Sequence, residues 1–109
     1  MASDVKITNW SNDWQPAEAE LRQAMQAQGL QPYRWSNSPG DIYPSHSHSY
    51  HKVIFVVEGS ITFGLPQEGK SVQLRAGDRL DLPASVVHDA QVGKQGVVCL
   101  EAHAKGEQP

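Results

Sequence analysis

Cysteine is nearly absent from this chain, which has a single one, Cys99, among its 109 residues. One cysteine cannot form a disulfide within the chain, so the sequence does not depend on an oxidising compartment. Long apolar runs are absent too, and none approaches the roughly 20 residues of a membrane-spanning helix. The first residues, Met1 to Lys6, lack the basic and then apolar pattern of a signal peptide. We therefore expect a cytoplasmic protein that has no membrane partner.

Basic residues are few and scattered along the chain. Nine Lys and Arg residues stand against twelve Asp and Glu residues, which gives a net charge of −3. Nucleic-acid binding usually requires a basic face that neutralises phosphates, so we expect no nucleic-acid partner. The length and a hydrophobic content of 39% are typical of one globular domain.

The N-terminal part of the chain has helical character. A polar arm containing Trp10 and Trp14 is followed by a predicted helix from Pro16 to Gly29. The proline stands in the first turn, acidic residues follow it, and the glycine ends the pattern. The apolar stripe of this helix is narrow and built mostly of small residues. We therefore expect the helix to dock on a larger body.

The rest of the chain has the pattern of short strands and turns. Strands are predicted at 31–37, 53–57, 60–65, 71–74, 79–82 and 96–102, and a turn at 92–95. Strands repeating about every eight to twelve residues favour an antiparallel barrel or sandwich. We expect an arm and helix in residues 1–30, a single barrel domain in 31–104 and a C-terminal tail in 105–109.

Three histidines form a candidate metal site. His46 and His48 are two residues apart, and on an extended segment their imidazoles point to the same side. His88 lies far downstream, after a Gly-Asp turn and Pro83. A single histidine on a strand is most often a surface residue or a hydrogen-bonded core residue, but this joint arrangement favours convergence. Three neutral imidazoles suit a divalent transition metal such as Fe, Ni, Zn, Mn or Cu.

Two segments around these histidines resemble the paired motifs of the cupin superfamily. The first motif, roughly G-x5-H-x-H-x3/4-E-x6-G, is represented by Gly40, His46, His48, Lys52 and Gly59 at matching spacing. The second, G-x5-P-x-G-x2-H-x3-N, is represented by Gly77, Pro83, Ser85, His88 and Val92. The resemblance covers residues 40–92. It implies an all-β fold, a cupin-type jelly-roll β-barrel preceded here by a short N-terminal α-helix, and metal binding by His46, His48 and His88.

The sequence departs from these motifs at three positions, and Lys52 is the one that bears on chemistry. Lys52 stands where the family usually has a metal-binding Glu, Ser85 replaces a Gly, and Val92 replaces an Asn. A protonated lysine cannot ligate a cation and repels it. Three interpretations follow: Lys52 swings out to pair with Glu58 or another carboxylate, it stays near the metal as a base or an anchor for an anion, or it replaces the metal altogether.

Strand parity predicts which side chains line the cavity. Without a bulge, the inward set is His46, His48, Tyr50, Lys52, Ile54 and Val56, and the outward set is His51, Val53, Phe55 and Val57. A shift of one residue would bring His51 inward as a substitute ligand. The outward set is apolar, so either the N-terminal helix or a second subunit covers it. We expect a homodimer.

The function predicted from the sequence is a small metal-binding cupin that presents a three-histidine site to a small-molecule ligand. Oxygen-dependent oxidation of the dioxygenase type is the first reaction to consider, by analogy at the level of the fold. Lys52 and Tyr50 are the candidate catalytic residues, although Tyr50 also suits a place in the cavity wall. The alternative is a non-catalytic pocket that holds an anionic metabolite through Lys52. A metal-free isomerase using His and Lys lacks a recognisable partner carboxylate in the sequence.

Overall fold

A computed structural model of the chain describes residues 4–104, and the predicted tail at 105–109 lies outside the described residues. Within the described range the chain is mostly strand, with one α-helix and one short 3-10 helix, as predicted. The elements are β1 (Lys6–Thr8), α1 (Glu18–Gln26), β2 (Tyr33–Asn37), β3 (Ile42–His46), β4 (His51–Leu65), the 3-10 helix Pro66–Glu68, β5 (Lys70–Arg75), β6 (Arg79–Leu82) and β7 (His88–Ala104).

Two long strands, β4 and β7, organise the barrel. The hydrogen-bonded order is β1-β6-β4-β7-β2, with β3 also paired to β7 and β5 to β4, and every pairing is antiparallel. The first part of β4 pairs with β6 and its last part with β5. Likewise, β7 pairs with β3 at its start and with β2 towards its end. Both long strands therefore run through the two halves of the barrel.

The strand boundaries correct several sequence predictions. Predicted strands 53–57 and 60–65 form the single strand β4, and the predicted turn at 92–95 lies inside β7. The pairing of β4 with β7 shifts register near Gly59, whose φ of 80° places it in the left-handed region. A Cβ on Gly59 would collide with the Gly96 carbonyl oxygen. Glycines at this crossing therefore bend the ladder without ending it, which local turn signals do not reveal.

The inner face of the barrel forms the main core. Its buried members come from four strands, β4 to β7: Ile54, Val56, Ile61, Phe63, Leu65, Leu74, Leu80, Leu82, Ala90, Val92, Val97 and Cys99. Leu80 and Leu82 point into this core. Arg79 and Asp81, which alternate with them along β6, pair with each other on the opposite face. The side chains of β6 therefore alternate between the core and the opposite face.

A second cluster lies between α1 and the outer face of the barrel. The helix places Leu21 and Met25 against Val53, Phe55 and Val57, which are only 2%, 8% and 7% exposed. The predicted outward direction of these three side chains is confirmed, and the cover is the helix. The homodimer remains a prediction, without the support that an uncovered apolar face would have given it.

Within the described residues, no helix has the length and apolar character needed to cross a membrane. The cytoplasmic location remains a prediction.

Candidate metal centre

The three predicted histidines converge at one end of the barrel. His46 ends β3, His88 begins β7, and the two residues are direct partners in the antiparallel pairing. His48 lies between β3 and β4 and is not in a strand, unlike the extended segment that the sequence suggested. One ring nitrogen from each histidine lies within 4.8 Å of the other two. The structure therefore brings His46, His48 and His88 together.

A turn from the second motif holds His48 in place. The backbone N–H of Ser85 donates to the His48 carbonyl oxygen over 2.7 Å. Ser85 has a φ of 71°, in the left-handed region that favours glycine and strains other residues. The serine therefore adopts the backbone conformation that suits the glycine of the motif, and the turn is kept despite the substitution.

Hydrogen bonds fix the tautomer of two histidine rings. Nδ1 of His46 lies 2.7 Å from the Pro44 carbonyl oxygen, and Nδ1 of His88 lies 2.9 Å from the Val86 carbonyl oxygen. A carbonyl oxygen only accepts, so in both rings Nδ1 carries the proton and donates. In the neutral ring Nε2 then keeps its lone pair. Backbone carbonyls commonly orient metal-binding histidines in this way.

His48 has the same tautomer for a different reason. Its Nε2 lies 3.3 Å from Nζ of Lys52, and its Nδ1 lies 3.2 Å from the hydroxyl of Tyr50. Because an ammonium group only donates, Nε2 of His48 must accept, so Nδ1 carries the proton and donates to the tyrosine oxygen. Nε2 is therefore the unprotonated nitrogen in all three rings, and in His48 it accepts from Lys52.

Burial favours the neutral form of His48 and His88. It is the main cause that lowers the pKa of His48 to about 4, and the nearby charges of Lys52, His46 and His88 add to this effect. His88 is only 2% exposed, and burial also lowers its pKa, against the opposing effect of its hydrogen bond to Val86. A histidine must be unprotonated to ligate a metal, and His48 and His88 meet that condition at neutral pH.

Lys52 points into the cavity beside the histidines, as the parity argument predicted. Its side chain is 13% exposed and lies between Nε2 of His48 and the carboxylate of Glu101, with Nζ 3.5 Å from Glu101 Oε2. Lys52 therefore does not swing out to Glu58, which is exposed. The interpretation in which Lys52 leaves the cavity is wrong, and it pairs with a carboxylate inside.

Glu101 is the residue of this site that sequence reasoning missed. It is only 4% exposed, yet its carboxylate accepts hydrogen bonds from the Tyr33 hydroxyl at 2.8 Å and from the Trp35 indole N–H at 2.9 Å. Nε2 of His103 lies 2.8 Å from the same carboxylate. The signal was present in the sequence: Glu101 alternates with apolar residues in the last strand, on the same face as Cys99 and His103.

The surroundings of Glu101 favour its charged form. Burial alone would raise its pKa, but the Lys52 charge and the hydrogen bonds from Tyr33, His103 and Trp35 outweigh burial and lower it. Glu101 is therefore a buried carboxylate with one lysine as counterion. It also supplies the partner carboxylate that the sequence interpretation found lacking.

A cavity of about 340 Å³ opens beside the three histidines. Its apolar wall includes Trp35, Ile54, Ile61 and Phe63, and its polar groups include Lys52, Glu101 and the tyrosines Tyr33, Tyr43 and Tyr50. The Tyr50 ring stacks between the rings of His48 and His103, with centroids 4.9 Å and 4.0 Å away. Tyr50 is thus part of the wall, and its hydroxyl is used by His48.

His51 lies apart from this cluster. Its Nε2 is 3.7 Å from Asp81 Oδ1, on the face opposite the cavity. It therefore does not act as a substitute ligand in this arrangement, and no shift of register brings it inward.

The residues present fit a metal held by three histidines. The rings share one tautomer, in which Nε2 is unprotonated, and they lie within reach of one another. Among the described residues no carboxylate joins this group, so the set lacks the usual fourth protein ligand. Imidazole nitrogen suits Zn, Cu, Fe and Ni, which does not identify one metal.

Comparison with known proteins identifies the family. The family model described as "Cupin domain" matches residues 33–102, which is more than half of the chain. The chain belongs to the cupin family. A comparison of this cupin with curated proteins finds no match.

Solved structures with the same fold support this assignment. An RmlC-like cupin from Shewanella frigidimarina has a TM-score of 0.60 at 24% identity, with 72% of this chain and 68% of that chain covered. The polyketide cyclase RemF from Streptomyces resistomycificus has a TM-score of 0.60 at 23% identity, covering 72% and 57%. The DMSP lyase DddQ from Ruegeria pomeroyi has a TM-score of 0.62 at 22% identity, covering 72% and 39%. At these identities the likeness shows the fold alone.

Proposed function

We propose that this cupin binds a divalent transition metal through His46, His48 and His88 and presents it to a small molecule in the adjoining cavity. The observation that carries the proposal is the common tautomer of the three rings, each of which leaves Nε2 free of its proton. Histidines kept only for structure would have no reason to share this arrangement. A metal bound there would supply a Lewis acid, and a redox-active metal would also exchange electrons.

The cavity wall suits a small ligand with an apolar part and a polar or anionic group. Trp35, Ile54 and Phe63 would contact the apolar part and exclude water. Nζ of Lys52 is a donor available to the polar group, whereas the single proton of the Tyr33 hydroxyl is already given to Glu101. Lys52 could donate there while remaining paired with Glu101, because an ammonium group has three protons.

Oxygen-dependent oxidation is the reaction that we propose to test first. A metal held by three protein ligands keeps coordination positions for a substrate and for O₂ together, which is the requirement of a dioxygenase-like reaction. This step rests on analogy between cupins. Binding of nitric oxide to the Fe(II)-loaded protein, followed by electron paramagnetic resonance, tests whether a position is open. A missing signal in iron-loaded protein would count against oxidation.

A non-catalytic pocket that captures an anionic metabolite through Lys52 is the second candidate. The observation that favours it is the position of Lys52 inside the cavity, 3.3 Å from His48. However, Glu101 already neutralises the Lys52 charge, so the pair offers a bound anion little net attraction. The geometry therefore supports the metal site better than a metal-free anion pocket.

Metal analysis of two histidine variants tests the proposal. Wild-type protein, stripped with a chelator and then loaded with Co²⁺, should hold about one ion per chain. His48→Ala should lower the Co²⁺ affinity by at least about 100-fold, since losing even an orienting neighbour of a ligand costs roughly 10–100-fold. His51→Ala is the matched control, because His51 lies on the opposite face, and it should bind like wild type. Equal affinities in all three proteins would overturn the proposal.

A further inference from the structure

Lys52 has two partners that make opposite demands on it. Its Nζ lies 3.3 Å from His48 Nε2 and 3.5 Å from Glu101 Oε2. The lone pair of His48 Nε2 is the one that a metal would use, so Lys52 and a metal compete for the same atom. A lysine that keeps this contact blocks the site, and its charge repels an incoming cation. Metal binding therefore needs another partner for Lys52.

Glu101 is built to be that partner. Its carboxylate is fixed by donors from three side chains, Tyr33, Trp35 and His103, and its side chain is only 5% exposed. A carboxylate held in this way cannot turn towards water, and Lys52 is its one lysine or arginine partner among the described residues. Glu101 is nevertheless not within the three-histidine group, so it is not itself one of the candidate ligands.

We propose that Glu101 is a positioning residue that draws Lys52 away from His48 and neutralises its charge, which makes the three-histidine site able to take a metal. This inference rests on the proposed metal binding. The negative charge that a cupin usually carries at position 52 is thus supplied from β7, one strand away. The lysine stays in the cavity as a hydrogen-bond donor, and the site avoids a lone positive charge beside the metal.

A double-mutant cycle on Co²⁺ affinity tests this role. The proteins are wild type, Glu101→Gln, Lys52→Met and Lys52→Met/Glu101→Gln, each titrated with Co²⁺ against a chromophoric chelator. E101Q should weaken Co²⁺ binding at least tenfold, because Lys52 then keeps its bond to His48. The double variant should bind as tightly as K52M, since without the lysine there is nothing for Glu101 to hold. The Co²⁺ absorption spectrum of the double variant should match that of K52M.

Other outcomes separate the possible failures. If Glu101 were merely structural, the loss in E101Q would persist after Lys52 is removed, and this would overturn the proposal. Unchanged affinity in E101Q would overturn it as well. If wild type itself binds no Co²⁺, the proposed function fails, whereas Co²⁺ binding with no effect of E101Q sinks only this inference.

Two further variants keep the test sound. Glu18→Gln is the charge control, because Glu18 also pairs with basic residues, Arg22 and Arg34, but lies on α1. It should leave Co²⁺ affinity unchanged. Should E101Q fail to fold, Glu101→Asp moves the carboxylate one methylene back and should also weaken Co²⁺ binding, with rescue by K52M. Absence of that rescue would refute the role of Glu101.

Discussion

Replacing Lys52 by the glutamate usual in the family should lower the stability of the metal-free protein and raise its affinity for a metal. Without metal, Lys52→Glu removes the counterion of a carboxylate that is only 4% exposed. At 3.5 Å the pair attracts by about 5 kcal/mol at an effective dielectric constant near 20, before desolvation is counted. Removing one member of a buried pair typically costs about 3–5 kcal/mol. The new carboxylate also faces Glu101, so one of the two should take up a proton.

Thermal unfolding followed by circular dichroism measures this effect. In the presence of a chelator, the midpoint of K52E should fall by roughly 15–25 °C, taking about 5 °C per kcal/mol for a domain of this size. Lys70→Glu is the matched control: its Nζ also lies 3.5 Å from a carboxylate, that of Glu68, but Lys70 is 54% exposed. An exposed pair contributes little, so K70E should shift the midpoint only slightly.

Adding Zn²⁺ should stabilise K52E more than it stabilises wild type. The new carboxylate removes a positive charge near the metal and supplies a fourth ligand, so Zn²⁺ should bind at least tenfold more tightly than in wild type, about 1.4 kcal/mol. Ligand binding to the native state raises stability, so the rise in midpoint on adding Zn²⁺ should be larger in K52E. Two results would refute the placement of Lys52 between Glu101 and the metal position. One is an unfolding midpoint of K52E in chelator equal to that of wild type, and the other is an unchanged Zn²⁺ affinity.

Three other changes test separate parts of the structure. Ser85→Gly should stabilise the protein by about 0.5–1 kcal/mol in urea denaturation, since the left-handed backbone costs serine about 1–2 kcal/mol and glycine loses part of that through its freer unfolded chain; a destabilised variant would contradict this. Met25→Ala should destabilise the protein by about 2–5 kcal/mol, because the Met25 side chain is fully buried between α1 and the barrel. Gln23→Ala, at an exposed position of the same helix, should have little effect. Equal losses would show that the helix does not dock there. Finally, the folded-state pKa of His48 is lowered to about 4 from about 6.5. The unfolded state therefore binds more protons than the folded state between these two pH values. The stability that neutral His48 contributes is fully present above pH 6.5 and is lost as the pH falls. Metal-free wild type should therefore lose about 2 kcal/mol more than His48→Gln between pH 7 and pH 5, and parallel pH profiles would contradict the buried state of His48.

The parts of this fold that the sequence predicts are those with a local periodic signal. The alternation of β6, the inward and outward sets of β4, and the helix before the barrel all follow from spacing. The three-histidine cluster also follows, because the two motifs keep their spacing despite Lys52 and Ser85. The single strand β4 does not, because Gly59 resembles a turn residue until its approach to Gly96 is known.

Long-range pairing sets the features that the sequence could not supply. The face to which Glu101 points depends on how β7 lies against β2 and β4. In the predicted strand 96–102 the sequence did not show which alternate residues face the cavity. The choice between a helix and a second subunit over Val53 and Phe55 likewise depends on tertiary docking. The pairing of Lys52 with Glu101 depends on the position of Glu101, which explains why the sequence could name only Glu58 or another carboxylate as a partner in one of three interpretations.

One strand of this protein serves two neighbours, and that division leaves room for change. Along the first half of β4, Lys52 and Ile54 belong to the cavity, while Val53 and Phe55 belong to the seam with α1. Ligand preference can thus be varied at even-numbered positions while the helix contacts stay intact, and the seam can be strengthened at odd-numbered ones without reshaping the cavity. A mutational library for new specificity is best confined to the even-numbered positions. The odd-numbered residues are then kept, so that their contacts with α1 continue to stabilise the fold.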